Sequence, residues 1–262
     1  LLESVHGIVV KPNSDDITAT LSAGSVTLSR PGGLTLSASN AAPERATVVV
    51  GPAFDVNEWQ DNQKANFNQR LDELIRAAAN ATGDDQVLAH LAMARFYLAR
   101  GFYPEARGVL DLAKAQSDGK ESEAALIARS VADTLSGRPE DGLKALTGPA
   151  AGNSPESQLW RALANARLGK WAEAREKFKN VEPVIIGLPT DLQRIVLLDS
   201  MRALIEVKDY SGATARNNEL GMVGVLPEQK ATLALLRGRL ADALGQDKDA
   251  LTYFHDAAAS DD

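Results

Sequence analysis

The chain has 262 residues, a formal net charge of −7, 44% hydrophobic and 24% charged residues. That composition belongs to a folded chain, and its acidic balance speaks against non-specific nucleic-acid binding, which needs clustered Lys and Arg. Cysteine is absent, which excludes disulfides, zinc thiolates and a cysteine nucleophile, and no run of about 18 apolar residues predicts a membrane-spanning helix.

Residues 1–50 predict short strands. GIVV, ITATLSAG, SVTLS, LTLSAS and ATVVV are rich in Val, Thr, Ile and Ser, with turns at Pro12-Asn13, Ala23-Gly24 and Pro31-Gly32-Gly33. Their charges are balanced, with Lys11, Arg30 and Arg45 against Glu3, Asp15, Asp16 and Glu44. So little apolar material does not hold an independent core, so the segment reads as the end of a preceding β domain or as a small sheet packed on the first helices. The chain begins at Leu1, without Met or a signal peptide, and is expected to be a piece of a longer protein.

Gly51-Pro52 closes this part, and residues 51–83 are expected to hold one capping helix over about 57–80, started by Asp55 or Asn57. Trp59, Phe67, Leu71, Leu74, Ile75 and Ala78 share one of its faces. From residue 84 onward the pattern predicts helices at about 85–100, 103–117, 121–136, 139–147, 155–168, 171–181, 190–207, 210–220, 227–244 and 247–259. Between them, Pro183–Pro189 reads as an apolar connector whose Val184, Ile185 and Ile186 plug a gap.

These helices come in pairs around a turn residue: Gly101, Gly137, Gly169, Lys208 and Gly245, spaced by 36, 32, 39 and 37 residues. A period in the thirties is the mark of a helical solenoid. Small residues recur five after the turn, at Ala106, Gly142, Ala174, Ala213 and Ala250, and mostly seven before it, at Ala94, Ser130, Ala162, Met201 and Gly238. Leu110, Leu146, Phe178 and Phe254 recur nine after it, with Asn217 as the exception, and Tyr103, Trp171 and Tyr210 stand two after it.

FYLARGFYPEARGVL, LANARLGKWAEAREKF and LADALGQDKDALTYF carry this pattern best, and it resembles the tetratricopeptide repeat over residues 84–262. The resemblance implies an all-α, right-handed α-α superhelix of about five helical hairpins, here preceded by a small N-terminal β segment. The copies at Gly137 and Lys208 depart from it, with Asp133 in place of the Tyr97 type and Asn217 in the groove.

Chemistry is sparse. His6, His90 and His255 have no metal-ligand spacing, and G-x-S-x-G, G-x-x-x-x-G-K-[ST] and G-x-G-x-x-G do not occur. Neither enzyme activity nor a cofactor or metal is therefore expected. His90 and His255 are read as partly buried, satisfied histidines. Six residues before each turn stand Arg95, Val131, Leu163, Arg202 and Arg239. The resemblance implies that this position faces the concave surface. Arg95, Arg202 and Arg239 there either clamp a carboxylate or an acidic peptide, or pair with Glu206, Asp242 or Asp199 inside the array. Trp160 reads either as an exposed anchor for a partner or as core.

The expectation is a protein-interaction scaffold binding a peptide or partner domain. The alternative is a structural spacer without a ligand of its own. No nucleic acid and no membrane insertion are expected. The Ala-rich, Arg-over-Lys composition points to a bacterial source, cytoplasmic or periplasmic, with a lean to the cell envelope.

Overall fold

The computed structural model describes residues 18–22, 25–29, 53–117, 119–179 and 181–259, which fall into two units, Leu1–Val48 and Val49–Asp262. In the first, β1 (Thr18–Ser22) pairs antiparallel with β2 (Ser25–Ser29), from Thr18 opposite Ser29 to Ser22 opposite Ser25. The other strands expected in residues 1–50 lie outside the described residues.

The described part of the second unit is all α. It opens with α1 (Val56–Lys64), capped by the Asp55 carboxylate on the Glu58 N–H at 2.8 Å, and α2 (Phe67–Asn80), capped by Asn66 on Gln69. The single helix expected over 57–80 is thus two. Its break has a tertiary cause. Arg100, from a later helix, donates to the Asn62 carbonyl at 2.7 Å and to the Ala65 carbonyl. An unbroken helix would use those two acceptors for the N–H groups of Asn66 and Gln69, and Asn66 instead restarts the helix through its own side chain.

The remaining helices are α3 (Asp84–Ala99), α4 (Tyr103–Gln116), α5 (Glu123–Leu135), α6 (Pro139–Ala145), α7 (Pro155–Arg167), α8 (Trp171–Phe178), α9 (Glu182–Gly187), α10 (Thr190–Glu206), α11 (Tyr210–Val223), α12 (Lys230–Ala243) and α13 (Asp247–Ala258). Five hairpins result: α3–α4, α5–α6, α7–α8, α10–α11 and α12–α13. Each turns at the residue expected: Gly101, Gly137, Gly169, Lys208 and Gly245 all have φ between 61° and 81°. At every corner the turn residue's N–H bonds three residues back and the next N–H five residues back, as in Phe102 to Tyr97 at 2.9 Å and Asp209 to Leu204 at 2.8 Å. This closes the orphan carbonyls of the first helix. Lys208 is the one described non-glycine residue with positive φ, a conformation that costs a side chain more than it costs glycine.

The first helices pack in series, α3 on α5, α5 on α7, α7 on α10 and α10 on α12. The second helix of each hairpin also leans on the first helix of the next: α4 on α5, α6 on α7, α8 on α10 and α11 on α12. The small positions five after the turn are all buried, as are those seven before it. Leu91, Ile127, Leu159 and Leu198, ten before each turn, are buried as well, but Leu235 at the same place in the last hairpin stays 48% exposed. The PVIIGLP stretch forms the short α9, where Ile185 is buried and Val184 half-buried. Ile186 does not plug a gap: it is 77% exposed, because a helical turn aims successive side chains in different directions.

Gly142 tests how tightly a hairpin closes. A Cβ there would stand 2.2 Å from Thr134 Oγ1 and 2.8 Å from the Ser130 carbonyl oxygen. Helix propensity favours alanine over glycine by about 1 kcal/mol, but overpacking against backbone costs about 1–3 kcal/mol. Gly142→Ala is expected to lower the denaturant midpoint. Gly108→Ala, in α4 with open space at its Cβ, should raise it.

Candidate functional site

The stretch ahead of α1 lies across the first helices. The Ala53 N–H donates to both carboxylate oxygens of Glu156, on α7, at 3.2 and 3.1 Å. The Ala53 carbonyl accepts from Arg95 Nε, on α3, at 2.9 Å. Phe54 packs edge-on to Trp59, with centroids 5.7 Å apart, and to Trp160, at 5.8 Å. Further along α1, Gln63 Nε2 donates to Asp191 of α10 at 2.6 Å. Ala53, Phe54, Trp59 and Asn62 are all buried. A seat built by α3, α7 and α10 therefore holds a bend at Ala53 and Phe54 followed by a short helix.

Three donors in this seat go unused. Trp59 Nε1, Trp160 Nε1 and Asn62 Nδ2 are buried without a hydrogen-bond partner among the described residues. Burial pushes the Glu156 carboxyl upward from its ordinary value and Glu123 adds to that, while the Ala53 N–H and Arg95 pull it back. Beside Ala53 and Phe54 a pocket of about 410 Å³ is lined by Ala124, Ile127, Val184 and Leu188, with Glu123 and Glu156 at its polar edge.

Trp160 is 1% exposed, so it is not an exposed anchor. Phe54, more than a hundred residues upstream in the chain, covers its face. Arg95 reaches Glu58 at 3.5 Å as well as Ala53. Arg202 pairs with Asp199 at 3.6 Å, and Arg239 with Glu206 at 2.9 Å. The three arginines thus meet three different acids and are not gathered on one group. All three remain half-exposed. Arg202 lines a second, more polar cleft of about 520 Å³ with Arg167, Asp199, Trp171, Gln229 and Thr232.

The degenerate Asp133 is buried, 3.3 Å from Arg107 Nε and 3.4 Å from Arg138. Desolvation outweighs both cations and raises its pKa. The two arginine partners account for a tyrosine-type position tolerating an acid. The two described histidines differ from expectation. His255 is exposed, and His90 is buried with Nδ1 unpartnered among the described residues. His6 lies outside the described residues. Among those residues no group of three or more His, Asp or Glu could hold a metal ion, and no helix is long and apolar enough to cross a membrane.

The fold and this seat define an all-α protein of helical-repeat-like architecture. Comparison with protein-family models, curated proteins and solved structures finds no match.

Proposed function

We propose that the chain is a protein-interaction scaffold: its hairpins stack as a right-handed solenoid resembling the tetratricopeptide repeat, a small β segment precedes them, and the concave face formed by the first helices binds a peptide or partner domain. The observation that carries this reading is Ala53. Its N–H and C=O are both held by side chains of first helices, Glu156 and Arg95, which is how a surface grips the backbone of a bound segment. Along α10 and α12, Arg202 and Arg239 extend the same row, and Arg202 lines an open cleft. The Arg239–Glu206 pair is half-exposed and worth little, and the buried Asp199 is already held by Arg167 at 2.9 Å against 3.6 Å from Arg202, so a ligand carboxylate can engage both Arg202 and Arg239 at small cost.

A displayed peptide library panned on the purified chain tests this. Selected peptides are expected to be acidic, and the double variant Arg202→Glu, Arg239→Glu should bind them at least about tenfold more weakly with its helical circular dichroism unchanged. Equal binding by the double variant retires the arginine row.

A structural spacer is the second reading. It is favoured by one observation, that residues 53–64 already fill the seat on α3 and α7. Under that reading the library yields no binder at all.

A further inference from the structure

Residues 53–64 occupy their seat as a ligand would, and they occupy it imperfectly. The contacts are of two kinds: side chains gripping backbone at Ala53, Asn62 and Ala65, and two aromatic anchors, Phe54 and Trp59. α1 has nine residues, too few to hold a helix without its docking contacts. It joins α2 through Ala65 and Asn66, both in extended backbone, so the chain can swing there without unwinding a helix. The three unused donors of Trp59, Trp160 and Asn62 weaken the fit from within. The apolar pocket beside Phe54 is volume that the resident segment leaves open.

The seat is also polarised. Arg95 of α3 and Arg100, which follows it, face a segment carrying Asp55, Glu58 and Asp61; Glu58 meets Arg95 directly, and Arg100 meets backbone carbonyls. Glu156 serves the backbone N–H rather than a cation.

We propose that the seat on α3 and α7 is the binding site for a partner segment of the same chemistry, an acidic peptide with two aromatic residues five apart that is bent at the first and helical at the second, and that Ala53–Lys64 is its built-in competitor. The proposal rests on the scaffold reading and gives it a regulated form. A partner with a larger aromatic side chain in the place of Phe54 fills the open pocket, and one with an acceptor near Trp160 Nε1 satisfies a donor of the seat that the resident segment leaves unused. Binding in trans therefore wins by better fit at the positions where the internal segment fits worst.

The test uses the full chain and a fluorescent peptide spanning residues 53–65. The unaltered chain should bind the peptide weakly, because its seat is taken. The double variant Phe54→Ala, Trp59→Ala unseats the internal segment and should bind at least about tenfold more tightly. Adding Arg95→Ala to that variant should remove the gain. A folded double variant that binds no better than the unaltered chain overturns the proposal. Hydrogen exchange on the unaltered chain gives an independent reading should the variant unfold. The amides of α1 should open at least about tenfold faster than those of α3 and α7, and exchange in step with them overturns the proposal. A concentration-dependent dimer that Phe54→Ala abolishes would assign the seat to a second copy and overturn the partner class. The arginine row on α10 and α12 is not touched by these variants, so failure here leaves the library result on that row to stand or fall separately.

Discussion

Trp160→Ala is expected to lower the unfolding free energy by about 3–5 kcal/mol, the range for emptying a large buried side chain. Trp160 is among the largest fully buried side chains, and it stacks edge-on with Phe54 across a hundred residues of sequence. Its loss opens a cavity in α7 and removes the platform on which the Ala53–Phe54 stretch rests. Trp160→Phe should cost much less. It keeps an aromatic face for Phe54 and deletes an indole N–H that is buried without a partner among the described residues. Urea titrations of both variants check the pair. A Trp160→Ala variant with an unaltered midpoint would contradict the core role that its burial assigns it.

Arg161→Leu comes next, with an expected loss of about 3 kcal/mol. The guanidinium is buried and meets carbonyls rather than a carboxylate. Nε donates to Leu146 O at 2.9 Å, a second nitrogen donates to the same oxygen and to Gly152 O at 2.8 Å, and the third donates to Asn153 Oδ1 at 3.1 Å. Leu146 ends α6, so a positive charge sits where the helix dipole is negative. Desolvation lowers the pKa of this arginine and Glu123 partly restores it, but a guanidinium stays charged at any ordinary pH. Leucine fills the space and leaves the Leu146 carbonyl buried without a donor. Arg161→Lys should fall between the two, because one ammonium cannot span the three acceptors that the planar fork reaches. Lys179→Leu is the control, since it breaks a surface pair with Glu176 and should cost about 0–0.5 kcal/mol.

The helices were legible because their signals are local. Corners at Gly101, Gly137, Gly169 and Gly245 follow from a residue type that adopts positive φ freely, and even Lys208 was found by period alone. Small residues at Ala106, Ala174 and Ala213 marked the close approaches that the hairpins make. What stayed hidden depends on partners distant in sequence. Near Ala65 the local signal is a single asparagine, Asn66, that can cap a helix; the other cause is Arg100, which takes the carbonyls from the end of α3. Helical spacing placed Trp160 one residue from the buried row at Leu159 and left its face open to either reading; Phe54 decided it. The seat of residues 53–64 was missed for the same reason. Its one sequence signal is the pair of aromatics in FDVNEW, which reads equally well as the start of an ordinary amphipathic helix. The arginine row was visible by spacing, and so were two of its acids, Asp199 and Glu206, both on α10; Glu58 was not, because it comes from α1, far from Arg95 in sequence.

The serial contacts among the hairpins govern how heat takes the molecule apart. Each hairpin is braced by the ones before and after it, so disorder has no single nucleus from which it must reach everything at once. The α12–α13 pair is the natural starting point, for it is braced on one side only among the described residues and its Leu235 already meets water. Melting then spreads inward like a zip, and a global signal and a probe fixed on α13 would report different temperatures for the same protein.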